Sequence, residues 1–289
     1  MEIKKVYINE ENYPELLKSI ADPPNPLYYI GNLKLLDEEC IAIVGSRRTT
    51  QYGRWTARTL GHKIASAGGV VVSGMAAGID ACAHWGAVDA GANSESVNTV
   101  AVMGCGIDQC YPKGNRELWD KIISKGLVIS EYAPGVQATK YTFPQRNRII
   151  SGVSGAVVVV QAPNSSGALI TAERAVEQGR DVYAVPANIN SEYNFGSNKL
   201  LLDGAIPLVI MEDLLADRGL FDGLPEEVEQ ILGEEEKMVL AEILSNGERT
   251  ADQLADSLEI TAAEINGIVT IMEMKGIVCT SMGKIFIAK

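Results

Sequence analysis

The chain has 289 residues, of which 46% are hydrophobic and 21% charged, and its formal net charge is −12. That composition is too apolar for a disordered chain, and the length calls for one large domain with a small companion or two of middle size. No apolar run reaches the roughly 18 residues of a membrane helix, and the opening MEIKKVYINEENYPELL lacks the apolar stretch of a secretory signal.

Cys40, Cys82, Cys105, Cys110 and Cys279 are scattered, and with only two histidines they form no metal-ligand spacing. A reduced, cytoplasmic chain without membrane insertion, metal or cofactor is expected. Residues 1–40 read as a short N-terminal extension. From residue 41 short apolar runs alternate with helical stretches: IAIVG (41–45), VVVSG (70–74), TVAVMG (99–104), LVISE (127–131), AVVVVQA (156–162), VYAVP (182–186) and PLVI (207–210). The runs are continuously apolar, as parallel strands covered on both faces are. The segments between them have helical spacing and often end at Gly. The spacing predicts an α/β fold over 41–216, a doubly wound, mostly parallel sheet of Rossmann-like type.

Residues 217–234 are polar and rich in Gly and Glu, and read as a linker. Over 235–289 the pattern is helix, helix, helix, hairpin. Thr250 is placed to cap one helix. Thr261 and Glu264 have the spacing of a capping box on the next. IVCTSMGKIFIA reads as two strands turning at Met282–Gly283. This is the order of a winged helix-turn-helix.

Three turns and one helix start carry the chemistry. Gly45, Ser46, Arg47 and Arg48 follow the first strand, where a strand–Gly–helix turn leaves backbone N–H groups free for an anion. The turn is not GxGxxG and no acid ends the next strand, so dinucleotide binding is disfavoured. Asp80 and His84 lie i, i+4 on one helix, either as an acid/base pair or as a local ion pair or structural hydrogen bond. Ser165, Ser166 and Gly167 precede another helix as a phosphate cradle or as an N-cap. KYTFPQRNRIISG (140–152) is the densest: Lys140, Arg146 and Arg148 can meet phosphates, and Tyr141 or Phe143 can offer a face to an unpaired base. Pro144 is expected to hold Phe143 extended, with the helix starting near Arg146. The other reading makes Phe143 core and pairs the arginines with nearby acids.

Taken together and in order, IAIVGSRRTTQYG, VVSGMAAGIDACAH, VAVMGCGIDQCYPKGN, LVISEY, FPQRNRIISG, SSGALITAERAVEQGR and GSNKLLLDGA resemble the DNA-processing protein A family (DprA, also called Smf), from about residue 13 to 215. The resemblance implies an extended Rossmann fold, single-stranded DNA binding, a homodimer, and delivery of DNA to the RecA recombinase during natural transformation, with no enzymatic activity. It implies phosphate binding at the Gly45–Ser46–Arg47 turn, a lysine at Lys140, a stacking ring at Phe143, and Arg146 and Asn147 completing that motif. The larger N-terminal helical domain of some members is reduced here to about 40 residues. Ala187 stands where the family usually has Gly, and Gln161 where it usually has Glu. A competing reading is a nucleotide hydrolase of the phosphoribohydrolase type on a related fold, whose phosphate loop is loosely resembled by the Gly-rich loop before a helix, with Glu173 inside it. Its compact PGGxGTxxE motif is absent.

Overall fold

The structure, a computed structural model, describes residues 2–220, 231–281 and 283–287. The chain divides into two compact units, Met1–Phe221 and Asp222–Lys289.

In the first unit the strands are β1 (Lys4–Val6), β2 (Leu27–Gly31), β3 (Cys40–Val44), β4 (Val70–Ser73), β5 (Thr99–Met103), β6 (Leu127–Ser130), β7 (Ala156–Val159), β8 (Asp181–Ala184) and β9 (Ile206–Pro207). The α-helices are α1 (Glu15–Lys18), α2 (Gln51–Ser66), α3 (Ile79–Ala90), α4 (Arg116–Lys125), α5 (Thr142–Gly152), α6 (Gly167–Glu177), α7 (Phe195–Leu202) and α8 (Met211–Asp217). The nine strands form one sheet in the order β1-β2-β6-β5-β4-β3-β7-β8-β9. From β6 to β9 all neighbours pair parallel, while β2 joins β6 and β1 joins β2 antiparallel. Residues 4–31, which the sequence presents as an extension, therefore supply two strands to the main sheet. Their polar positions had masked this, because an antiparallel edge needs only one apolar face.

The central strands are buried along their whole length, which explains their unbroken apolar runs. Alternate residues serve opposite faces. Ile41 and Ile43 of β3 pack with Leu60 and Ile64 of α2 and Ala83 of α3. Ala42 and Val44 pack with Ile149 and Ile150 of α5 and Ala172 of α6. The connection from β3 runs through β4, β5 and β6 to one side, whereas β7, β8 and β9 continue to the other. The β3/β7 junction is thus the point where strand order reverses, and beyond the carboxyl ends of those strands a crevice opens.

In the second unit α9 (Glu234–Asn246), α10 (Ala251–Leu258) and α11 (Ala262–Met274) precede an antiparallel hairpin, β10 (Val278–Ser281) and β11 (Lys284–Ile287). This is the element order of a winged helix. Its core gathers Val239, Leu240, Leu254, Ile265, Val269 and Met272 against Val278 and Ile285. Thr250 and Thr261 each accept from a backbone N–H three residues on, and Gln253 and Glu264 return the bond, so both capping boxes form. Most of the expected linker, 221–230, and Met282 of the hairpin turn lie outside the described residues.

Candidate nucleic-acid cleft

A cleft of about 800 Å³ lies over the β3/β7 switch point. All ten residues expected from sequence border it: Gly45, Ser46, Arg47 and Arg48 after β3, Lys140, Phe143, Arg146 and Asn147 at the start of α5, and Ser166 and Gly167 at the start of α6. Segments separated by some 120 residues in sequence converge because three βα turns share the carboxyl edge of one parallel sheet.

The β3–α2 turn is built tightly. A Cβ on Gly45 would collide with Ile79 and with the Gln161 carbonyl. Gly78 has φ +88° and a Cβ there would strike the carbonyls of Ser46 and Arg47, so only glycine lets α3 begin so close to the turn. The Ser46 N–H donates to the Gln161 carbonyl at 2.7 Å. The Ser46 hydroxyl donates to the Arg48 carbonyl at 2.6 Å and accepts from the Arg48 N–H at 3.1 Å. It shapes the turn and leaves Arg47 and Arg48 exposed.

Gln161, buried behind this turn, is a residue that sequence reading treats only as a departure from the family pattern. Its side-chain Oε1 accepts from the Thr49 hydroxyl at 2.7 Å and the Thr50 N–H at 3.0 Å. Its amide donates to the Thr50 hydroxyl at 2.9 Å and to Asn194 Oδ1 at 3.1 Å. One side chain thus joins the caps of α2 and α7. Thr50 caps α2, whose first turn carries no carboxylate.

The other wall is aromatic and cationic. The Arg47 guanidinium lies 5.2 Å from the Phe143 ring centre, and Tyr111 packs on Phe143 with centroids 5.3 Å apart. Lys140 is exposed, with its ammonium 5.0 Å from the Tyr141 ring. Tyr111, Tyr193 and Glu192 also border the cleft. Tyr111 lies in the VAVMGCGIDQCYPKGN motif; Tyr193 and Glu192 have no sequence signal.

Two expectations are corrected, and two others resolve between the readings left open. The helix α5 begins at Thr142, so Phe143 and Pro144 are in its first turn. Proline is tolerated there because that turn's N–H groups have no intrahelical acceptor. Arg146 is not a phosphate ligand: it is buried, and its guanidinium donates to the carbonyls of Gly74 and Val102. Arg148 is spent on Glu131 at 2.8 Å and Asp22 at 3.3 Å. Asp80 and His84 form neither an acid/base pair nor an ion pair; each makes structural hydrogen bonds instead. The Asp80 carboxylate accepts from the Gly74 and Ala76 N–H groups at 3.2 and 3.4 Å. The His84 Nδ1 meets the Thr99 hydroxyl at 2.7 Å.

Asn147 is likewise a positioning residue, donating to the Gly167 carbonyl at 3.1 Å and so fixing α5 against the start of α6. Ser166 caps α6 by accepting from the Ala168 N–H at 3.3 Å. Burial pushes the Asp80 carboxyl above its ordinary range, opposed by Arg146 and the two backbone donors. Burial also pulls the Arg146 guanidinium down, opposed by Asp80. Each is the opposite charge that weighs most on the other, and both are almost fully buried at the cleft. Glu173, which falls in the loop of the hydrolase reading, is exposed and borders an adjoining depression with Val176, Lys199 and Leu200.

A family model described as DNA recombination-mediator protein A matches residues 4–219. The chain belongs to that family. It is 42% identical over 210 residues to the DNA processing protein DprA of Streptococcus pneumoniae, covering 73% of this chain and 72% of the relative. The X-ray structure of DprA from that organism superposes with a TM-score of 0.70 at 41% identity, covering 74% of both chains. A structure of DNA processing protein A from Helicobacter pylori, solved to describe its single-stranded DNA binding mode, superposes with a TM-score of 0.67 at 30% identity. It covers 75% of this chain and 95% of that one. The match ends near the boundary of the second unit, so the family's sheet, switch-point crevice and βα turns are those of the first.

Proposed function

We propose that this member of the recombination-mediator family binds single-stranded DNA in the switch-point cleft. Arg47, Arg48 and Lys140 meet phosphates, and the N-terminus of α6 at Ser166–Gly167 offers further donors. Phe143 receives a base. The observation that carries the reading is Phe143 itself, a half-buried ring bordering the cleft with Arg47 over it and Tyr111 packed beside it. A duplex hides its base faces, so the ring is useful only to an unpaired strand. The single-strand binding reported for the Helicobacter pylori relative supports the same reading.

The family assignment further supports a non-enzymatic, cytoplasmic protein that loads RecA onto the strand during natural transformation. It works as a homodimer, whose second site raises avidity along one strand. Residues 200–215 are the candidate interface: Leu202 and Val209 are 88% and 75% exposed, while Leu208, Leu214 and Leu215 are buried core.

The test compares oligo-dT with duplex of the same length at matched salt. Strong preference for the single strand, with little dependence on base sequence, is expected, and equal affinity overturns the reading. Incubation with AMP should release no free base. Sedimentation at micromolar concentration should give a dimer, and RecA assembly on the bound strand should accelerate.

A further inference from the structure

The cationic rim does not stop at Arg48. Between Glu39 and Asp80 the sequence contains no Asp or Glu, yet it holds Arg47, Arg48, Arg54, Arg58 and Lys63. In a chain of net charge −12 this is an isolated positive stretch, and α2 carries three of its five cations. The helix buries Thr56, Ala57, Leu60 and Ile64 against the sheet. Its opposite face presents Tyr52, Arg54, Trp55 and Arg58 to solvent.

Tyr52 and Trp55 are i, i+3 neighbours and stack on each other, with ring centres 6.5 Å apart and planes 29° apart. They nonetheless remain 48% and 59% exposed. Arg58 is paired with Asp89, and Lys63 with Glu212. Among the described residues, Arg48 and Arg54 have no carboxylate within ion-pair distance. Arg48 borders the cleft, two residues before the cap of this helix, so the aromatic face begins where the cleft wall ends.

We infer that the outer face of α2 is a second single-strand contact, on which a strand leaving the cleft stacks bases against Tyr52 and Trp55 while Arg48 and Arg54 meet its phosphates. Aromatic faces interleaved with unpaired arginines are the surface a flexible strand follows without reading its sequence. Continuity with the cleft selects that strand over a protein occupant, and the absence of acids over the whole stretch selects an anion. The inference rests on the reading of the cleft as a single-strand site.

Length dependence separates the two. Wild type, Trp55→Ala, Trp55→Phe and Phe143→Ala are titrated with a four-nucleotide and a twenty-nucleotide oligo-dT. Affinity and intrinsic tryptophan fluorescence are followed together. Of the three tryptophans, Trp119 is buried and Trp85 half-buried, so Trp55 reports contact at this face. The long oligomer should quench wild-type fluorescence, and the short one should not. Trp55→Ala should lose about five-fold or more in affinity for the long oligomer and under about two-fold for the short one, with Trp55→Phe restoring most of it. Phe143→Ala should weaken both lengths.

If Phe143→Ala loses binding while Trp55→Ala binds both lengths as wild type does, the α2 contact is wrong and the cleft stands. If wild type binds neither oligomer, both readings fall. If Trp55→Ala shifts only the sedimentation of the free protein, the face is a protein contact and the inference is overturned.

Discussion

Phe143 shows how one side chain can be held ready without being used up. Its ring has a guanidinium near one face and a tyrosine packed beside it. A cation–π contact at an exposed site is worth about 0.5–1 kcal/mol, little enough for Arg47 to exchange it for a phosphate. Arg47→Ala and Lys140→Ala should therefore each flatten the dependence of log affinity on log salt by about 0.7 per lost contact. Phe143→Ala should cost about 1–3 kcal/mol and leave that slope unchanged. Salt titrations with oligo-dT read both effects, and a large loss of thermal stability in Phe143→Ala with binding intact would make the ring core instead. Arg146, three residues on in the same motif, should behave in the opposite way. Arg146→Met strips donors from the Gly74 and Val102 carbonyls and the nearby cation from Asp80. It should lower the unfolding free energy by about 1–3 kcal/mol, seen in urea denaturation with no DNA present. Loss of binding without loss of stability in that variant would return Arg146 to the cleft.

At the scale of elements, α3 carries a buried histidine whose surroundings fix its protonation. The Thr99 hydroxyl has one hydrogen and gives it to the Val71 carbonyl at 2.9 Å, so the His84 Nδ1 must donate to Thr99. Burial, with Arg146 adding repulsion, pulls the His84 pKa down to about 3 from 6.5. The folded state thus holds this imidazole neutral where the unfolded chain would protonate it. Stability linked to His84 is complete above about pH 6.5 and is lost as pH falls from there toward about 3, by several kcal/mol in all. His84→Asn keeps a donor toward Thr99, and its unfolding free energy should be markedly flatter across that window when followed by urea denaturation. The element also shows what sequence can and cannot convey. The parallel strands were legible because burial on both faces leaves an unbroken apolar run, and the turns because glycine and the capping residues are local choices. β1 and β2 were not, since pairing with a distant edge leaves only half of each strand apolar. The fate of the arginines was hidden for the same reason. Arg47, Arg146 and Arg148 are alike in composition, and only tertiary partners decide that the first faces the cleft, the second is buried on backbone carbonyls, and the third is ion-paired.

Across the whole molecule the charge is unevenly divided. Residues 226–289 hold thirteen carboxylates against five cations, a net −8, leaving −4 for the first 225 residues. The few cations of the second unit are mostly committed: Lys237 pairs with Glu234, Lys275 with Glu236 and Lys284 with Glu248. Its third helix, α11, has the position in the element order that the reading helix has in a winged helix. There it offers Glu264 and Glu273, and the lysine that follows is already held by Glu236. A phosphate backbone approaching that helix meets net repulsion, whereas Met274, 85% exposed, and Ile271, 50% exposed, are suited to a protein surface. The second unit should therefore contribute little to strand affinity. The first unit contains the complete sheet and all of the cleft residues, so removal of residues 226–289 should leave affinity for oligo-dT within about three-fold of the full chain at physiological salt. The salt slope should also be unchanged, because the phosphate contacts that set it remain. Circular dichroism and sedimentation verify that the shortened chain keeps its fold and oligomeric state. A loss greater than ten-fold with both preserved would show that the acidic unit contacts the strand after all, and that the cleft alone does not account for binding.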